Sequence, residues 1–116
     1  MNLHLISGPA GSGKTTALKA LVSADKGAIH INAEDITTET LSHLVRRAAS
    51  DARIKTVTVD GANPMQVDEL LKLSQRLKAR KDLTVTAALC CWVQAPDYEY
   101  ENLKISRLQA RQPQPV

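Results

Sequence analysis

Aromatic residues and cysteines are scarce in this chain. Its 116 residues include no Phe, one Trp and two Tyr, so the sequence offers no evident platform on which single-stranded nucleic acid could stack. The two cysteines, Cys90 and Cys91, are adjacent within an apolar stretch. No second Cys or His pair flanks them, which disfavours a metal site, and we expect both to be buried, reduced thiols.

Long apolar segments are also missing. No apolar run approaches the roughly 20 residues that a membrane-spanning helix needs, and the first residues lack a signal-peptide pattern. We therefore expect a cytoplasmic protein with no membrane partner. The length fits a single domain, which we assign to residues 1–111, and we expect the Gln- and Pro-rich residues 112–116 to be disordered.

The charge balance is only mildly basic. A formal net charge of +3 permits contact with nucleic acid without arguing for it. Lys72, Arg76 and Arg80 lie four residues apart on a predicted helix, and such a row is typical of a solvated helix face. A nucleic-acid partner is therefore compatible with the sequence but weakly supported.

What stands out is a glycine-rich stretch near the N-terminus, GPAGSGKTT. It satisfies the pattern Gly-x-x-x-x-Gly-Lys-Ser/Thr, in which backbone N–H groups turn toward one anion through conformations that a Cβ disfavours. In such a loop Lys14 reaches the β- and γ-phosphates of a nucleotide, and the Thr15 hydroxyl ligates Mg²⁺. The predicted nucleotide-binding residues are Gly8, Pro9, Ala10, Gly11, Ser12, Gly13, Lys14, Thr15 and Thr16.

The rest of the chain alternates between strand and helix patterns, which predicts an α/β fold with a parallel sheet and right-handed crossovers. A helix follows the glycine-rich loop, a second is capped by Thr37 or Thr38, and a third is capped by Asn63 with Pro64 at its first position. The predicted strands are 2–6, 28–32, 54–59, 83–89 and 103–108, the last of which also fits a helix over 98–111.

These strands carry more polar residues than buried parallel strands usually do. Histidines and threonines alternate with aliphatic residues at His4, His30, Thr56, Thr58, Thr84 and Thr86. Three explanations fit this pattern. One face of the sheet is thinly covered, or that face is covered by a partner, or threonine is present simply because it forms strands well.

Two acidic residues follow predicted strands at the edge where open α/β sheets bind their ligands. Asp60 ends the third strand and is a candidate to hold Mg²⁺ through water, although Asp-Gly is also a common turn. Glu34 follows the second strand in the stretch Ile31–Asp35. A strand ending in a small residue and then Glu, placed between a phosphate-binding loop and an Asp-terminated strand, resembles the RecA-like ATPases of recombination and replicative helicases.

That resemblance implies a three-layer P-loop fold with sheet order (5)-1-4-3-2 and a site for ATP and Mg²⁺. It implies that Lys14 and Glu34 are catalytic, with Glu34 polarising the attacking water, and that Thr15 and Asp60 are the metal residues. Gln94, shortly after the fourth strand, corresponds in position to the polar residues that sense the γ-phosphate in that family. The simplest alternative to a catalytic role is that Glu34 is an acidic residue of a surface loop, placed before a helix N-terminus.

The chain also departs from the family pattern. Asp60 is followed by Gly61 rather than by the glutamate that many of these ATPases carry, and the chain is about half as long as a typical RecA-like core. An arginine that completes the site would have to come from a neighbouring subunit, with Arg107 and Arg111 as candidates.

Three functions are compatible with this pattern. The first is Mg-dependent ATP binding with slow hydrolysis, which a protein partner or a homo-oligomer would accelerate. The second is a regulatory module in which nucleotide occupancy switches a protein contact without useful turnover. The third is a nucleoside or small-molecule kinase, although the only segment that could close as a lid, between Trp92 and Leu103, is short.

Overall fold

The computed structural model of the chain describes residues 1–109. The expected disordered tail, the end of the assigned domain and Arg111 lie outside the described residues. In the described part of the chain, strands and helices alternate as the sequence predicts. They are β1 (Asn2–Ser7), α1 (Lys14–Ala24), β2 (Ile29–Asn32), α2 (Thr38–Ala49), β3 (Thr56–Ala62), α3 (Pro64–Arg76), β4 (Thr84–Leu89) and β5 (Leu103–Arg107), with a single 3-10 turn at Ala33–Asp35 after β2.

The five strands form one parallel sheet in the order β2-β3-β4-β1-β5. Read from the other edge, this is the 5-1-4-3-2 order that the resemblance to RecA-like ATPases implies, and that expectation is confirmed. The segment 103–107 is a strand and not a helix, and it pairs with β1 from Leu3 opposite Leu103 to Ser7 opposite Arg107.

The two faces of the sheet differ in their cover. On one face, alternate strand residues pack with α2 and α3 in a large core that includes Leu5, Val59, Val85, Leu41 and Leu70. On the other face α1 is the one covering helix of residues 1–109, and the buried apolar cluster there consists of Ile6, Leu18 and Ala88. The result is a three-layer fold with one thick and one thin apolar layer.

Local sequence explains where the helices begin. The Thr37 side chain accepts a hydrogen bond from the Thr40 backbone N–H at the start of α2. At the start of α3, Asn63 and Gln66 each accept a hydrogen bond from the other's backbone N–H, with Pro64 at the first helical position. This reciprocal arrangement satisfies two N–H groups that a helix end otherwise leaves unpaired.

The start of α1 and the end of β3 differ from the boundaries that the sequence predicts, and both lie at the glycine-rich loop and Asp60. α1 begins at Lys14 rather than Thr16, so its first N–H groups belong to the glycine-rich loop itself. β3 continues past Asp60 to Ala62 through an irregularity in its pairing with β4, where Gly61 has φ 78°. Only glycine adopts that conformation without strain.

Among residues 1–109, no helix is long and apolar enough to cross a membrane.

Candidate nucleotide-binding site

The glycine-rich loop joins the end of β1 to the start of α1. Its last glycine, Gly13, is the N-cap residue of α1, has φ 93° and offers no side chain to cap the helix. The first N–H groups of α1 therefore have no side-chain partner at the cap, and the positive end of the helix dipole faces the loop. This local arrangement is suited to an anion.

Two polar side chains inside the loop are held in a way that fits a phosphate group. The Lys14 ammonium donates to the backbone carbonyl of Gly8 and, over 3.1 Å, to that of Pro9, so its charge lies across the loop. The Ser12 hydroxyl is buried and has no hydrogen-bond partner within residues 1–109. A buried donor without an acceptor costs free energy, and an anion in the loop would bring acceptors to this region.

Thr15 and Asp60 meet although 45 residues separate them in the sequence. The Thr15 hydroxyl donates to a carboxylate oxygen of Asp60 over 3.1 Å. Thr15 lies in the first turn of α1, and Asp60 lies on β3 with its side chain on the sheet face that α1 covers. A hydroxyl and a carboxylate in contact are oxygen ligands of the kind that Mg²⁺ prefers.

Glu34 is brought to the same cleft by the 3-10 turn that follows β2. The Asn32 side chain accepts a hydrogen bond from the Glu34 backbone N–H over 3.3 Å, which fixes the start of the turn. The buried Gln66 amide donates to the carbonyls of Ala33 and Ile36, over 2.9 and 3.2 Å, and so ties both ends of the turn to α3.

The space for the Glu34 side chain is provided by Gly61. A Cβ on residue 61 would lie 2.5 Å from Glu34 Cγ and 2.8 Å from one of its carboxylate oxygens. A side chain at this position would therefore collide with Glu34. Because residue 61 is a glycine, the carboxylate of Glu34, in the turn after β2, can lie over the end of β3.

These groups line one cleft of about 390 Å³, whose walls include Lys14, Thr15, Glu34 and Asp60. Both cysteines also line this cleft. The expectation that both are buried is wrong, because Cys90 is only partly buried and Cys91 is exposed. They follow β4 at the ligand-binding edge of the sheet, where the chain leaves the core.

The two thiols differ in their surroundings. Cys90 Sγ donates to the Gly61 carbonyl over 3.0 Å. Burial raises the pKa of the Cys90 thiol above its usual value, and the nearby Glu34 raises it further. Cys90 is therefore a protonated hydrogen-bond donor that helps hold the Gly61 backbone, while Cys91 is the solvent-facing thiol of the cleft.

Two sequence candidates lie elsewhere. Gln94 lines a neighbouring cavity together with Trp92 and Pro96 and is not among the residues that line the cleft. Arg107, at the end of β5, donates to the Pro96 carbonyl over 2.8 Å. The structure thus brings together the loop, Asp60 and Glu34, but does not bring Gln94 or Arg107 into the cleft.

Sequence reasoning missed the supporting residues Gln66 and Gly61. The signal for Gln66 was present, because Asn63 followed three residues later by Gln is a capping-box pattern. Its second role, bonding two carbonyls 33 and 30 residues away, depends on the packing of α3 and has no local signature.

Among the residues that the structure describes, the side chains of the cleft do not form a metal site by themselves. Within residues 1–109, no group of three or more His, Cys, Asp or Glu side chains could hold a metal ion. Mg²⁺ commonly binds through one or two protein oxygens together with substrate phosphates and water. The pair Thr15 and Asp60 fits that mode.

The sheet order, together with a glycine-rich loop between β1 and α1, defines an α/β protein with the P-loop fold. The chain is similar in fold to PCH-2 of C. elegans, with a TM-score of 0.56 over 92% of this chain at 13% sequence identity. The matched region makes up 35% of the PCH-2 chain. No family model and no curated protein sequence matches the chain.

Proposed function

We propose that this chain binds a nucleoside triphosphate, ATP, with Mg²⁺ in the cleft between the glycine-rich loop, Asp60 and Glu34, and that it hydrolyses the nucleotide slowly. The observation that carries the proposal is the 3.1 Å contact between Thr15 and Asp60 beside a loop that presents Lys14 and the start of α1. The likeness to a P-loop-type ATPase fold agrees with nucleotide binding in general.

Each residue has a defined role in this proposal. The backbone N–H groups of the loop and the Lys14 ammonium hold the phosphates, with Lys14 exchanging its carbonyl partners for phosphate oxygens. Thr15 and Asp60 hold the metal ion directly or through water. Mg²⁺, when bound, would neutralise charge on the phosphates and fix their orientation.

Glu34 is the proposed general base. It accepts a proton from water as the water oxygen bonds to the γ-phosphorus and the bond from that phosphorus to the bridging oxygen breaks. A base needs to reach the water within hydrogen-bond distance, and the position of Glu34 over Gly61 in the same cleft supports this. This combination of roles is that of a minimal RecA-like ATPase.

The binding part of the proposal is tested at Lys14. Lys14→Ala removes the positive charge that faces the phosphates, so the affinity for Mg-ATP should fall at least about tenfold, or about 1.4 kcal/mol. Isothermal titration calorimetry measures the affinity, and Lys19→Ala, an exposed lysine of the same helix, is the matched control. Unchanged affinity in the Lys14 variant would rule out the loop as the phosphate site.

The hydrolysis part is tested at Glu34. Glu34→Gln keeps the shape of the side chain and removes its basicity, so phosphate release should slow by about two orders of magnitude or more while ATP affinity holds. Glu39→Gln, an exposed carboxylate in the first turn of α2, controls for the loss of one negative charge.

The other outcomes of the Glu34 experiment are also informative. Equal loss of binding and turnover would assign Glu34 a structural role. Unchanged turnover would remove Glu34 from the mechanism and favour a regulatory nucleotide-binding module. Transfer of phosphate to an added nucleoside in place of water would favour a kinase.

A further inference from the structure

A groove on the surface lies away from the nucleotide cleft. Its larger part is a cavity of about 820 Å³ between α3 and the segment 98–102. A second cavity of about 310 Å³ lies between α3 and residues 92–96. Asp68 and Leu71 line both cavities, so the two form one continuous groove along α3, here called the α3 groove.

Two of the four exposed large apolar side chains of residues 1–109 line this groove. Trp92 and Tyr98 line it and are 67% and 53% exposed, and Met65, 71% exposed, follows the lining residue Pro64 in the first turn of α3. Tyr98 stacks on Tyr100, with ring centroids 6.2 Å apart. Exposed aromatic side chains in one patch are characteristic of a protein–protein contact.

Charges of opposite sign lie on the two sides of the α3 groove. Lys78 and Lys81 follow α3 on one side, while Glu101 belongs to the segment on the other. The exposed Asp97 belongs to that same segment, between the lining residues Pro96 and Tyr98. Within residues 1–109 the salt bridges include none to these four side chains. Asp68 and Lys72, which also line the groove, already pair with each other over 3.1 Å.

This separation of charge limits which kinds of partner match the groove electrostatically. A nucleic acid would meet the acidic side unfavourably, and a strongly acidic or basic peptide would match only one of the two sides. A second copy of the same chain, related by a twofold axis, presents acidic groups to the basic side and basic groups to the acidic side, as a self-complementary interface requires.

We propose that the α3 groove is a self-association surface, at which two copies of this chain pack about a twofold axis. Trp92 and Tyr98 supply the exposed apolar side chains of the contact. The basic side of each copy, Lys78 and Lys81, faces the acidic side of the other, Asp97 and Glu101. This proposal does not depend on nucleotide binding.

The test uses complementary charge swaps. One variant, Lys78→Glu with Lys81→Glu, makes both sides of the groove acidic, and the other, Asp97→Lys with Glu101→Lys, makes both sides basic. Each variant should self-associate at least tenfold more weakly than the wild type, because like charges now meet twice. Mixed one to one, the two should form a heterodimer, because both contacts are then between opposite charges.

Sedimentation measures the association, and the single tryptophan provides a second readout at the contact itself. Trp92 emission should shift to shorter wavelength with increasing protein concentration in the wild type, and again on mixing the two variants. Arg46→Glu with Arg47→Glu, on the exposed face of α2, is the control for a change of four charge units and should associate like the wild type. Circular dichroism verifies that each variant is folded.

Several outcomes would overturn the proposal. One is a wild-type chain that stays monomeric at the concentrations used for calorimetry. Another is a pair of folded variants that do not associate on mixing. If a charge-swap variant fails to fold, Lys78→Gln with Lys81→Gln replaces it, and its association at low salt should be weaker than that of the wild type. Equal association would count against the proposal, as would a Trp92 shift caused only by an added oligonucleotide.

Discussion

The two faces of the sheet present different kinds of side chain to the helices that cover them. Toward α2 and α3, the strands present aliphatic residues that are almost completely buried in the large core. Toward α1, the same strands present His4, His30, Thr58 and Thr86, and the apolar cluster there contains only three buried residues. Parallel sheets normally bury apolar residues on both faces, so the α1 face is the unusual one.

Hydrogen bonds between neighbouring strands explain how the polar face is tolerated. His30 Nδ1 lies 2.6 Å from the Thr58 hydroxyl, and His4 Nε2 lies 2.7 Å from the Ser106 hydroxyl. A polar side chain with a partner loses little on burial, whereas an unpaired one is costly. The thick face contributes most of the apolar burial, while the thin face, through α1 and Asp60, forms part of the proposed nucleotide cleft.

The largest losses in free energy of unfolding are expected from shortening one leucine on each face. Leu70→Ala on α3 and Leu18→Ala on α1 remove the same atoms from side chains that are both 0% exposed. The loss in free energy of unfolding should be about 4 kcal/mol for Leu70 and about 2.5 kcal/mol for Leu18, because the small cluster can relax toward solvent. Urea unfolding measures both values. Equal losses would show that the thin layer is as tightly packed as the thick one.

Smaller losses in stability should come from replacing an apolar by a polar side chain, and the reverse, at two adjacent residues of β3. Val57 and Thr58 are both 0% exposed and face opposite sides of the sheet. Val57→Thr buries a hydroxyl without a partner and should cost about 1–3 kcal/mol, while Thr58→Val should cost less than about 1 kcal/mol, because the exposed His30 can bond to water instead. Denaturant midpoints compare the two. A larger cost for Thr58→Val would mean that the polar pair is a main stabiliser of its face.

The smallest effect should be a pH dependence from the α1 face. Burial lowers the pKa of His4 below its ordinary value, and the neighbouring Lys104 lowers it further. The unfolded chain therefore binds this proton more readily, so stability is complete above the unfolded pKa of about 6.5 and declines as pH falls toward the folded pKa. Comparing wild type with His4→Gln by urea unfolding between about pH 5 and 8 should show a shallower slope in the variant. Identical slopes would exclude His4 as the source.

Much of the fold was predictable because its signals are local. The strand and helix alternation, the glycine-rich loop and the Asp-terminated third strand fix which residues reach the ligand-binding edge of a parallel sheet. The position of Asp60 beside Thr15 follows from this order. A thinly covered face was one of the three explanations left open for the polar alternation at His30 and Thr58, and the structure shows such a face.

What the sequence could not predict depends on non-local packing. The path of the turn that carries Glu34 is set by Gln66 of α3 and by the open space over Gly61. The exposure of Cys91 and the placement of Gln94 in another cavity depend on where the chain turns after β4. No spacing rule encodes these positions.

The central place of β1 in the sheet has a consequence for how the chain is made. β1 is synthesised before every other element of the described chain, yet its two neighbours, β4 and β5, are the last strands of that part. The glycine-rich loop follows β1, so it cannot be held in position until residues 84–89 have been synthesised and have paired with β1. Completion of the sheet should therefore wait for the synthesis of β4 and β5, because the pairings of β1 have a long sequence separation.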